Sequence, residues 1–134
     1  MQYATSIRDA QNEAMETDVG SAPIMRVYSG TPPANVAAAL SGNTLLAQGT
    51  LPSDWMAASS GGVKAKAGTW TLTGQSGAGS GTAGTFFRIF ASDGTTAKIQ
   101  GTFGVGQEAV PDNNNIANGQ TVTVATFSVT RGNG

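Results

Sequence analysis

Reactive side chains are sparse in this sequence, and the stretch from Gly101 to Asn115 holds several that could be read as a site. Glu108 and Asp112 share one loop, and two carboxylates flanking a sugar ring would outline a glycosidase. Nothing in their spacing makes them converge, so solvated loop charges account for them better. Asp112-Asn113-Asn114-Asn115 offers the oxygen donors that calcium favours, but it lacks the acid spacing and distal glutamate of an EF-hand loop, and an Asn-rich turn explains it as well. Gly101-Thr-Phe-Gly-Val-Gly106 has closely spaced glycines with no Lys-Ser or Lys-Thr and no helix after them, so a phosphate loop fails.

Outside that stretch, Trp55 and Trp70 with Tyr3 and Tyr28 have the makings of an aromatic platform for a sugar ring. Two tryptophans in a domain of this size are more often core anchors. The chain has neither histidine nor cysteine, which removes Ser-His-Asp and Cys-His catalysis, His- or Cys-ligated metals and disulfides. The expectation is a protein that is not an enzyme and needs no cofactor or metal. Arg8, Arg26, Lys64, Lys66, Arg88, Lys98 and Arg131 form no basic run, and the net charge is −1, so nucleic acid is not an expected partner. The start has no basic segment followed by an apolar core, and no 18 consecutive apolar residues occur. Neither secretion nor membrane insertion is therefore expected.

The elements that would position these residues read as β structure. Thr85-Phe-Phe-Arg-Ile-Phe90 and Ala97-Lys-Ile-Gln-Gly-Thr-Phe103 flank Asp93-Gly94, a strong hairpin signal. Ile24-Met-Arg-Val-Tyr28 has the same apolar-apolar-Arg-apolar-apolar order as Phe86-Phe-Arg-Ile-Phe90, which suits two central strands whose Arg26 and Arg88 reach the sheet rim or pair with carboxylates. Thr69-Trp-Thr-Leu-Thr73 alternates as a half-buried strand, and Asn43 to Leu51 is another strand region. In Gln120 to Thr130, Val122 and Val124 share one parity while Phe127 and Val129 share the other, so a bulge near Ala125-Thr126 is needed to put all four on the core side. Ala34 to Ala39 suggests a helical turn, Ala57 to Gly68 a loop holding Lys64 and Lys66, and Gln75 to Gly84 a flexible connection. Gly104 to Gly119 reads as a long loop with a short strand near Ala109.

Thr5 or Ser6 is placed to cap a helix running to about Asp18, with Asp9 in its first turn. Tyr3, Ile7, Ala10 and Ala14 then form a narrow stripe, which packs either on the chain's own sheet or on a neighbouring subunit. The whole reads as all-β: an antiparallel β-sandwich or jelly roll of about six to eight strands over residues 21–134, preceded by a helical arm over residues 1–20.

Several segments carry a resemblance. Ser6-Ile-Arg-Asp-Ala10, Gly20-Ser-Ala-Pro-Ile-Met-Arg-Val-Tyr-Ser-Gly30, Leu51-Pro-Ser-Asp-Trp-Met-Ala-Ala-Ser-Ser-Gly-Gly62 and Phe86-Phe-Arg-Ile-Phe-Ala-Ser-Asp-Gly-Thr95, with a closing Thr-Val-Thr-Val strand, resemble small proteins encoded in the structural modules of tailed bacteriophages. The resemblance implies a jelly-roll cement or decoration protein on the outer capsid surface of the virion, made in the host cytoplasm. Its partners would be the major capsid protein and further copies of itself as a dimer or trimer. A tail, neck or baseplate subunit and a carbohydrate-binding jelly roll are the other readings. None of the matching motifs is catalytic, so no reactive residue carries over. The helix and the Gly61 and Gly77 loops are the parts expected to reach neighbours. In the hairpin, Phe86 and Phe90 lie opposite Phe87 and Ile89, so this strand needs cover on both faces: the core on one, and the helix, a loop or a neighbouring subunit on the other. Tyr3, Ile7, Ala10, Ala14, Phe86 and Phe90 are the candidate interface residues.

Overall fold

A computed structural model of the chain describes residues 1–133. Helix α1 (Thr5–Val19) precedes ten strands: β1 (Ile24–Tyr28), β2 (Leu45–Thr50), β3 (Val63–Ala65), β4 (Trp70–Gly74), β5 (Thr82–Ala83), β6 (Phe86–Phe90), β7 (Ala97–Thr102), β8 (Ala109–Pro111), β9 (Asn115–Ile116) and β10 (Thr121–Thr130). The fold is the expected all-β, jelly-roll-like class with a short N-terminal helix. The main sheet runs β10, β4, β2, β1, β6, β7, with β3 and β8 also paired to β10, and β5 and β9 make a separate pair. All of these pairings are antiparallel. The sheet curls until Phe103, just past β7, bridges Ala109 of β8, the one parallel contact at its closing edge.

The side-chain pattern of each strand follows from that curl. In β4, Trp70 and Leu72 are buried while Thr71 and Thr73 are exposed, the alternation of a strand with one wet face. In β10 the register shifts between Val124 and Thr126, and the extra residue moves Phe127 onto the same buried face as Val122 and Val124, with Val129 packed against the core. β1 and β6 are central and adjacent, with Arg26 directly opposite Arg88. The Asp93 carboxylate tightens the β6–β7 connection by accepting bonds from the Thr95 and Thr96 amides and the Thr96 hydroxyl. Those bonds hold its pKa down at about 2, and Gly94 supplies the positive φ of 71° that the turn requires.

Both tryptophans lie at 0% exposure in the core. Trp55 and Trp70 sit 5.8 Å apart, Trp70 and Phe127 5.0 Å, and Phe87 meets Phe127 edge-on at 5.7 Å. Their polar tips are satisfied: the Trp55 indole donates to the Gly20 carbonyl and the Trp70 indole to the carbonyls of Trp55 and Ala67.

Four local expectations change. Gln75–Gly84 is an ordered segment, with a 3-10 turn at Ser76–Ala78, a buried Ala78 and β5 paired to β9. Glycine permits this by close approach: a Cβ on Gly77 would come within 2.7 Å of the Leu45 carbonyl oxygen. Lys64 belongs to β3, because pairing with β10 organises what local sequence presents as a loop. Ala34–Ala39 forms turns and no helix. At the start of α1, Ala4 is the N-cap and makes no side-chain cap bond, while the Thr5 hydroxyl accepts a bond from Arg8.

Candidate functional site

Polar chemistry concentrates where α1 meets the sheet. Asp9, Asn12, Glu13 and Glu16 recur at helical spacing and share one face of α1. That face is turned inward. The Asp9 carboxylate accepts bonds from the Ser59 hydroxyl at 2.7 Å and the Gly62 amide at 2.8 Å. Asn12, fully buried, donates to the Ser59 hydroxyl and the Gly62 carbonyl and accepts from Arg131 Nε. Glu13 takes the Ser59 amide at 2.6 Å. The Lys64 ammonium, with only 1% of its side chain exposed, lies 2.8 Å from Glu13 and 2.7 Å from Glu16.

These contacts shift protonation in consistent directions. Asp9 is held below the usual carboxylate value, first by Ser59 and then by Gly62. The Lys64 bond, followed by the Ser59 amide, does the same for Glu13. Burial alone would lower Lys64, yet its two glutamate partners outweigh burial and raise it. The arrangement is a lock in its charged form and leaves no free base or nucleophile in the seam.

A second polar feature crosses the outer face of the sheet. Gln48, Arg26, Arg88 and Gln100 stand in register on β2, β1, β6 and β7. Each arginine donates through Nε to the flanking glutamine, Arg26 to Gln48 at 3.1 Å and Arg88 to Gln100 at 2.9 Å. Arg26 also reaches the Gly94 carbonyl and lies over the Phe90 ring at 4.6 Å, and Arg88 reaches the carbonyls of Asn35 and Ala38. Carbonyls, amides and a ring face thus serve where carboxylates or the rim were expected, because the guanidinium fork can fill several acceptors at once.

A third feature is a cleft of about 590 Å³ between β7 and the C-terminal half of β10, floored by Phe87, Ile99, Phe127 and Val129 and walled by Met15 of α1 and the Ala34–Val36 segment.

The expected site residues separate into two groups. Ile7, Ala10 and Ala14 face solvent, Ile7 at 47% exposure, and Tyr3 is half-buried. The helix packs on its own domain through the face opposite that stripe, by the polar residues above and by Met15 and Val19 against the core. Phe86 and Phe90 are buried within the chain, which corrects their assignment as interface residues. Phe86 stacks on Tyr28 at 5.2 Å and Phe90 lies beneath Arg26, and the Pro33–Ala38 segment bonds to Gln100 and Arg88 over the same face. The cover is a loop of the chain itself.

The remaining candidates are dispersed. The aromatic platform does not form, since Trp55, Trp70 and Tyr28 are all buried. Glu108 bonds Thr102 and Asp112 bonds the Thr123 amide, and the extended β8 between them spans roughly 13 Å of backbone. Asn113 holds the Asn115 amide, so the acidic-asparagine run works as a turn. Among the described residues no group of three or more His, Cys, Asp or Glu side chains is placed to hold a metal, and no helix is long and apolar enough to cross a membrane. The residues that sequence reasoning missed are Asn12, Ser59, Lys64 and Arg131. The helical spacing of Asp9, Asn12, Glu13 and Glu16 was the available signal, a polar stripe as regular as the apolar one. No family model, curated protein or solved structure matches the chain.

Proposed function

We propose that this chain is a non-catalytic structural subunit, specifically a cement protein that binds the outer surface of a tailed-bacteriophage head across seams between major capsid protein subunits. The observation that carries this reading is the orientation of α1. The helix is anchored through Asp9, Asn12, Glu13 and Glu16, sets Met15 and Val19 on the core, and still presents Ile7, Ala10 and Ala14 to solvent, apolar side chains that its own core does not use. A rigid arm showing small apolar side chains suits close packing against another subunit, and repetition over a capsid multiplies weak contacts. The use of charge agrees with this: among the described residues, every Asp and Glu side chain other than Asp54 holds a backbone amide, a hydroxyl or a cation of the same chain. Self-association as a dimer or trimer uses the same stripe.

Imaging of purified virions with the chain located in the density tests the proposal. Density on the outer head surface, with α1 facing the major capsid protein, is the expected result. Density confined to tail, neck or baseplate replaces cement with the runner-up role, and absence from particles overturns the structural reading.

A further inference from the structure

The curled sheet stops one strand short of closing along part of its length. Among the described residues β7 pairs only with β6, and the Ser128–Thr130 part of β10 pairs only with β3. β8 fills the gap at one end, against Val124–Phe127 of β10 and beside Phe103. Beyond it the gap is the cleft described above.

Main-chain directions on the two walls are set by the bonds already made. Lys66 donates to the Phe127 carbonyl and Arg131 to the Gly62 carbonyl, so 127, 129 and 131 turn toward β3, and the N–H and C=O groups of Ser128 and Thr130 turn into the cleft. On β7, Phe103 donates back to Thr85 while Thr102, of opposite parity, donates outward to Glu108. Gln100 shares the parity of Thr102 and points its N–H and C=O into the cleft. Two strand edges therefore face each other across an apolar floor. The Lys98–Gly101 wall is about 13 Å long, the length of four extended residues.

Charge selects the occupant. Glu108, bonded by the Thr102 amide, keeps its charge at the β8 end of the cleft, and Lys98 is paired with Asp18. Arg131 lines the cleft, is bonded through Nε to Asn12, and has no carboxylate within ion-pair distance among the described residues.

We propose that the cleft accepts an extended acidic segment of a partner protein as an added strand, antiparallel to β10 and parallel to β7 as β8 is. Its inward side chains are apolar where they rest on Phe87 and Phe127, and an inward carboxylate at its N-terminal end meets Arg131, which shares the inward parity of Phe127 and Val129. Main-chain pairing supplies affinity and the floor and cation supply selection. The inference stands whether or not the chain is a capsid protein.

The probes are two acetylated, amidated hexapeptides, Asp-Thr-Val-Thr-Val-Thr, whose inward side chains are aspartate and two valines, and its counterpart with lysine in place of aspartate, added to the intact protein while amide exchange is followed by NMR. The aspartate peptide is expected to slow exchange at Gln100, Ser128 and Thr130 together, and Arg131→Gln to weaken it about tenfold by removing one charge-assisted contact. The lysine peptide is expected to do neither. Ser128→Trp, at an exposed position lining the cleft, abolishes binding with the melting temperature retained, which separates a blocked cleft from a damaged fold. Unchanged exchange at the three amides, equal effects of both peptides, or protection of Gln100 accompanied by a doubling of mass, which signals pairing of two copies, overturns the proposal.

Discussion

Two cation sites in this molecule are stabilised in opposite ways. Under α1, Lys64 is a compact charge enclosed by the two carboxylates of Glu13 and Glu16. On the outer face, Arg26 and Arg88 stand opposite each other with glutamine amides, carbonyls and a phenyl ring around them. An ammonium concentrates its charge and needs counter-charge when it leaves water, whereas a guanidinium spreads its charge and offers five donors to neutral acceptors. The first site joins two elements through ions and responds to pH. The second stitches four adjacent strands through neutral acceptors.

Removing counter-charge breaks that comparison most severely. Glu13→Gln with Glu16→Gln strands the Lys64 ammonium, and the expected loss is about 2–3 kcal/mol, below the cost of a fully buried pair because both glutamates reach solvent. Urea unfolding checks it, and restoration of most of the loss by a further Lys64→Met would show that the stranded charge is the cause. Arg88→Lys tests the other site. It keeps the charge but loses the fork that spans Gln100, Asn35 and Ala38, at an expected cost of about 1–2 kcal/mol. Full stability would mean that charge alone suffices there. The smallest effect is expected for Asp18→Asn, since the Asp18–Lys98 pair is exposed: under about 0.5 kcal/mol in the same assay.

The legible parts of the fold were those with local periodicity. Alternation fixed the faces of β4, and the parity change between Val124 and Phe127 located the bulge in β10. The matched patterns around Arg26 and Arg88 identified two central strands, which prove to be neighbours. The seam was not legible, because each of its polar residues reads locally as solvent-facing and its partners lie far along the chain: Glu13 meets Lys64 only when the fold is complete. β3 was hidden for a related reason, since three residues after Gly61-Gly62 become a strand through pairing with β10. Phe86 and Phe90 were read correctly as needing cover, but only the folded chain shows the Pro33–Ala38 segment supplying it.

The central claim is that α1 is part of the domain, locked by ionised carboxylates, and so free to show its other face. Asp9 and Glu13 are held below the ordinary carboxylate range, so their contribution is full above that range and is lost as pH falls through their lowered values. Lys64 is raised, so its contribution is present below the ordinary lysine value and is lost only as pH rises through its raised one. Amide exchange protection, followed from neutral pH down through the ordinary carboxylate values and on below them, tests this directly. The prediction is that Asn12–Glu16 of α1 are protected to nearly the level of β1 and β6 at neutral pH and lose protection in acid, while β1 and β6 keep theirs. An α1 that exchanges at neutral pH as freely as an isolated helix would contradict the account.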